Sequence, residues 1–215
     1  MSVWHNNAWL RHGIAAAAIA AALVSGTPSQ AAEIAAEPAN VISTLDQTLL
    51  DVMQHARQLG YSGRYARLAP VVAQTFDISY MTRIAVGTAW PSLTKDQQAR
   101  LVGAFGDFVT ATYAHRFDGY SGEKFETTGT RPLGSSTLVE TRLIKSDGDP
   151  IALNYVTRQN NGQWQVVDVF LTGTISELAT RRSEFSAVYQ HDGFDGLLAT
   201  LQQRTEQIAS ASQTS

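Results

Sequence analysis

Residues 163–172 (QWQVVDVFLT) constrain the fold more than any other stretch. They read as a strand with apolar residues on both faces: Trp164, Val166 and Phe170 on one, Val167, Val169 and Leu171 on the other. A strand of this kind has to be covered on both sides. After Gly173, Thr174 with Glu177 forms a capping box, which predicts a helix carrying Ile175, Leu178, Phe185 and Tyr189 on one face. Gly193 should end that helix. Phe194, Leu197, Leu198, Leu201 and Ile208 make the apolar side of a last one, and residues 210–215 should fray.

The remaining pattern changes period once. Before Gly119 it is helical. Asn40 is placed to cap a helix with Val41, Ile42, Leu45, Leu49, Val52, Met53 and Ala56 on one stripe. A second helix is expected over residues 64–76, with Pro70 a point of bending. Asp77 can cap a short third helix carrying Ile78, Met81, Ile84 and Ala85, which Gly87 and Pro91 break. Thr94 with Gln97 is a capping box for a long helix. Leu101, Phe105, Phe108 and Thr112 form its main face, with Val102, Val109 and Tyr113 beside them. After Gly122 the sequence alternates, and strands are expected over 124–131, 137–145, 150–158 and 163–172. Asp147-Gly148 and Asn161-Gly162 are hairpin signals, so the sheet should be antiparallel. Helices, then a meander, then helices indicate an α+β domain.

The N-terminus reads as a leader. Arg11 and His12 close a weakly basic segment, Ile14 to Val24 is an apolar core, and Ser29-Gln30-Ala31 suits cleavage. Residues 1–31 are therefore expected to be a signal peptide, 32–209 a single domain and 210–215 a disordered tail. The apolar core is too short to span a bilayer, and with no cysteine in the chain a lipoprotein is excluded. Without the leader, 15 basic residues face 19 acidic ones, which argues against nucleic acid as a partner. At 44% hydrophobic and 16% charged, the chain is globular in composition. Without disulfides its stability has to come from packing.

Candidate chemistry is sparse. His55, His115 and His191 lie on separate segments without acidic neighbours at ligand spacing, so no metal or other cofactor is expected. None of the serines sits in G-x-S-x-G. Asp168 interrupts an apolar strand, where an unpaired charge is costly. If the Asn161-Gly162 turn alone sets the register, Tyr155 lies opposite it; a bulge would shift this pairing by one. Asp168 is then either a general base with His115 or Tyr155 as partner, or a satisfied structural carboxylate, the preferred reading. Arg182 lies beside the Leu178–Phe185 stripe, where it can snorkel along the core edge or meet an anionic headgroup.

Several segments resemble one family. They are FDISYMTRIAVGTAW (76–90), TKDQQARLVGAFGDFVTATYAHRFDGYSGEKF (94–125), WQVVDVFLTGTISELATRRSEF (164–185) and GFDGLLATLQQR (193–204). In order and spacing the chain resembles the MlaC-type periplasmic lipid-binding proteins, and FDGYSGEKF and ISELATRRSEF resemble their hopanoid-associated HpnM branch. The resemblance implies an α+β fold related to nuclear-transport-factor-2-like domains, with helices packed around a twisted antiparallel sheet of about four strands and enclosing an apolar pocket. It implies a periplasmic carrier of phospholipid or hopanoid. Its partners would be an inner-membrane ABC transporter with an MCE-domain subunit and an outer-membrane lipoprotein complex. Phe170 departs from the family pattern and is expected to narrow the pocket.

A carrier needs no catalytic group. Burying a methylene is worth about 0.8 kcal/mol, so a roughly 16-carbon chain, on the order of 12 kcal/mol, leaves a bilayer only for comparable burial elsewhere. By amphipathic position the expected walls are Ile84, Trp90, Leu101, Phe105, Phe108, Leu143, Val167 and Val169. The alternative is an isomerase- or hydratase-type enzyme on the same scaffold using Asp168.

Overall fold

The computed structural model describes residues 30–146 and 148–212. The leader assigned to residues 1–31 lies, through residue 29, outside them. So do Asp147 of the first hairpin signal and residues 213–215 of the tail.

Helix α1 (Gln30–Gln54) begins upstream of Asn40 and runs through Pro38, so Asn40 is an interior residue rather than a cap. Its predicted stripe is the core face: Ile42, Leu45, Leu49, Val52 and Met53 are buried, as is Ala56 at the start of the next helix, while Val41 is half-buried. Helix α2 (Ala56–Thr75) starts earlier than the pattern suggested and contains a break at Gly60, whose φ of 59° favours glycine. Pro70 lies within it. Arg64, 5% exposed, donates from Nε to the Ala114 carbonyl (2.8 Å) and from Nη1 to the Ala56 carbonyl (3.2 Å). It thus ties the turn before the break to the far end of the central helix.

Asp77 caps α3 (Ile78–Val86) by accepting from the Tyr80 amide at 2.9 Å. A 3-10 turn (Gly87–Ser92) leads to α4 (Lys95–Arg116), and the Thr94–Gln97 capping box is fully formed. Helix α4 is central and packs against α2, α3 and α5.

Strands β1 (Lys124–Leu133), β2 (Ser136–Ile144), β3 (Ile151–Asn160), β4 (Gln163–Leu171) and the two-residue β5 (Ile175–Ser176) form an antiparallel sheet in chain order. The fold class is thus α+β as expected, with a short fifth strand added to the expected four. Asn161 and Gly162 (φ 50° and 80°) make a two-residue hairpin turn of the kind their sequence signals. The β2–β3 connection is longer, from Lys145 to Pro150.

One bulge resets the faces of β4. Thr157 pairs with Val166 but Val156 pairs with Asp168, so Val167 is the extra residue. Tyr155 therefore lies opposite Val169, not Asp168. Val166, Val169 and Leu171 join the main core. Val167 and Phe170 instead belong to a small cluster with Leu138 and Val156. Simple alternation would have put Val166 with Phe170.

Helix α5 (Glu177–Ala211) also departs from its predicted start. β5 uses Ile175 and Ser176, and the cap is Ser176, which accepts from the Ala179 amide at 2.8 Å, rather than Thr174. Gly193 (φ 67°, ψ −161°) leaves helical geometry and separates two helical segments, as expected: the one carrying Leu178 and Phe185 ends there, and the one carrying Leu197, Leu198 and Leu201 follows. Helical structure extends past the expected frayed boundary to Ala211, and Ser212 hydrogen-bonds to His115 at 2.8 Å.

Candidate functional site

Between α4, the start of α5 and the helix-facing side of β2–β4 lies a cavity of about 250 Å³. Its walls follow from the periodicities. Phe105, Phe108, Val109, Thr112 and Tyr113 come from the wide stripe of α4, and Leu143, Leu153, Tyr155, Val169 and Leu171 from alternate positions of three strands. Phe76 and Met81 add to the wall from before and within α3, and Leu178 from α5. Aromatic rings fix its helical side. Phe105 and Phe108 both meet Phe185 edge-on, with centroids at 6.1 and 5.9 Å, and Tyr113 stacks on Phe117 at 5.7 Å.

Polarity is concentrated in two places. At the mouth stand Arg116, Glu177 and Arg181, with side chains 44%, 22% and 18% exposed. Glu177 pairs with Arg181 at 3.2 Å and approaches Arg116 at 3.8 Å. Arg181 also lies 5.1 Å over the Phe108 ring. Glu184 extends this network: burial raises its carboxyl, but hydrogen bonds and charge from Arg204 and Arg181 outweigh this and hold it below the usual range.

At the inner wall the Tyr113 and Tyr155 side chains both border the cavity, and burial pushes both phenols up. The charge of Asp46 on α1 reaches both. Asp46 is 6% exposed, and its Oδ1 has no hydrogen-bond partner. Burial raises its pKa from 3.8 to about 7. Sequence reading passed over Asp46. The available signal was its position, four residues after Ile42 and three before Leu49, within the buried stripe.

Of the eight predicted wall residues, Phe105, Phe108, Leu143 and Val169 line the cavity. Leu101 is fully buried one turn earlier on α4 and packs in the core. Ile84 and Trp90 pack against that core half-buried. The bulge carries Val167 to the other side of the sheet. For the same reason Phe170 does not narrow the cavity.

Asp168 is not on the cavity wall. Its Oδ1 accepts from the Val169 amide (2.7 Å) and the Leu178 amide (3.0 Å), and its Oδ2 from the Ser176 hydroxyl (2.6 Å). It therefore anchors the N-terminus of α5, where a carboxylate is favoured by free amides and the helix dipole. Neither Tyr155 nor His115 is among its hydrogen-bond partners. Among the described residues no group of three His, Cys, Asp or Glu is arranged to hold a metal ion, and no helix is long and apolar enough to cross a membrane.

Residues 43–203 match the profile of the family described as MlaC protein. The chain belongs to the MlaC family. Its fold is also that of a solved structure, the phospholipid-binding protein from Ralstonia solanacearum in complex with a phospholipid. The two superpose with a TM-score of 0.70 at 22% identity, covering 80% of this chain and 98% of the other. At that identity the likeness establishes the fold shared by this MlaC-family chain and the Ralstonia protein.

Proposed function

We propose that this MlaC-family protein is a non-enzymatic lipid carrier. The observation that carries this reading is the cavity: apolar walls from three strands and the central helix, and a mouth set with Arg116, Glu177 and Arg181. Such a site takes acyl or polycyclic hydrocarbon inside and leaves an anionic headgroup near the two guanidiniums, which are suited to phosphate oxygens. Phe105, Phe108, Leu143 and Val169 are the proposed lipid contacts.

The finer reading follows the sequence. With the leader removed, the protein works in the periplasm and receives phospholipid or hopanoid from, or delivers it to, an inner-membrane ABC transporter with an MCE-domain subunit. The outer-membrane lipoprotein complex is the other terminus. The HpnM-like segments favour hopanoid cargo. Family membership and the phospholipid in the Ralstonia structure support the general carrier reading.

Val169→Trp and Leu153→Trp test it by filling the cavity. Uptake of a fluorescent phospholipid from vesicles should fall at least about tenfold, since each ring displaces several methylenes worth of burial. Unchanged uptake by folded variants would refute the assignment.

A further inference from the structure

We propose that Arg116 takes the phosphate of the cargo, and that the mouth it stands in selects phospholipids of one net negative charge over zwitterionic ones. The inference rests on the carrier reading in its phospholipid form. It adds the headgroup class and the residues that set it.

The mouth is one end of a row of alternating charges. Arg116 stands 3.8 Å from Glu177, Glu177 3.2 Å from Arg181, Arg181 3.0 Å from Glu184 and Glu184 2.7 Å from Arg204. Three guanidiniums face two carboxylates, so one positive charge is unbalanced. The distances locate it. Arg181 and Arg204 both hydrogen-bond to Glu184, and Arg181 also holds Glu177. Both lie over rings, Arg181 over Phe108 at 5.1 Å and Arg204 over Phe185 at 5.4 Å. Arg116 is committed to much less. Among the described residues its one ion pair is the approach to Glu177, at 3.8 Å too long for a hydrogen bond. Its planar fork of donors therefore remains for a ligand, and it borders the cavity.

Other sources of positive charge nearby are spent or turned away. Two amides in the first turn of α5 are occupied, that of Leu178 by Asp168 (3.0 Å) and that of Ala179 by the Ser176 hydroxyl (2.8 Å). The Arg182 guanidinium lies beside Gly87 and is not part of the cavity wall. A phosphodiester without an ammonium neutralises the row once. A zwitterionic headgroup brings an ammonium as well, which leaves the excess charge in place and sets a further cation near Arg116 and Arg181. A dianionic phosphomonoester overshoots, because Glu177 stands next to the phosphate. Glu177 thus sets the charge that the mouth accepts.

The test uses delipidated full-chain protein and three dioctanoyl lipids with identical tails: phosphatidylglycerol, phosphatidylcholine and phosphatidic acid, whose phosphomonoester carries about −1.5 to −2 at pH 7. Wild type should bind phosphatidylglycerol about fivefold more tightly than phosphatidylcholine, the scale of one half-exposed ion pair, and phosphatidic acid no more tightly than phosphatidylglycerol. Arg116→Gln should bring the first two affinities within about 1.5-fold of each other. Glu177→Gln, which leaves both guanidiniums to the ligand, should shift the preference to phosphatidic acid by about threefold. Inorganic phosphate in about hundredfold excess should not displace phosphatidylglycerol, since it fills none of the cavity. Displacement would assign Arg116 to the free anion and overturn the proposal. Equal wild-type affinities for phosphatidylglycerol and phosphatidylcholine, a preference untouched by Arg116→Gln, or a ranking untouched by Glu177→Gln would overturn it and leave the carrier reading intact. Absence of binding to all three lipids would overturn the phospholipid carrier reading, and the proposal with it.

Discussion

Asp168 at the β4–α5 junction and Asp46 on the buried face of α1 are both carboxylates set into apolar segments, and their surroundings are opposite. Asp168 accepts from the Val169 and Leu178 amides and the Ser176 hydroxyl. Asp46 has two tyrosines within electrostatic reach and an oxygen with no donor. Asp168 is conspicuous in sequence because it interrupts a strand, yet its role is structural. Asp46 is inconspicuous in sequence because helices tolerate an acid at most positions. Local sequence shows where a charge is awkward; the donors supplied by the tertiary fold decide whether it is stabilised or left tense.

The comparison breaks most directly at Asp168. Asp168→Ala should cost about 3 kcal/mol in urea unfolding, because buried donors lose a charged acceptor. A loss below about 0.5 kcal/mol would mean that the anchor contributes nothing. The opposite sign is expected at Asp46. Its folded-state pKa is raised from 3.8 to about 7, so the folded state binds more protons than the unfolded one between these values. The contribution is fully present below pH 3.8 and is lost as pH rises through about 7. Asp46→Asn should therefore remove this part of the pH slope. At pH 8 it should stabilise the protein by on the order of 2 kcal/mol, measured by thermal melts across pH. Tyr155→Phe, which removes a buried hydroxyl at the cavity wall, should change stability by no more than about 1 kcal/mol. The smallest effect belongs to a pair in solvent. Arg131→Ala, which breaks the exposed contact to Glu140, should change stability by less than about 0.5 kcal/mol and give the baseline for the buried carboxylates.

Much of the fold was legible where one short-range rule governs. The Asp77 cap, the Thr94–Gln97 capping box, the α1 stripe and the Asn161-Gly162 turn each depend on residues within one turn of one another, and each formed. The failures at β4 and at the start of α5 required knowledge of a distant partner. Nothing in residues 163–171 signals that Val167 bulges; the mismatch arises only against β3. The cap moved from Thr174 to Ser176 because β5 pairs with the end of β4 and places Ser176 under Asp168. For the site, periodicity identified Phe105 and Phe108 but could not separate Leu101, one turn away in the solid core, from residues facing empty space. Amphipathicity reports which face is inside, and not whether the inside is filled.

The central claim is that the space between α4 and the sheet holds lipid. Native mass spectrometry of the protein purified from its own cells, followed by solvent extraction and lipid analysis, tests it most directly. The account predicts a stoichiometric bound phospholipid or hopanoid, absent from Val169→Trp. A clean unliganded mass that persists after incubation with lipid vesicles would contradict it.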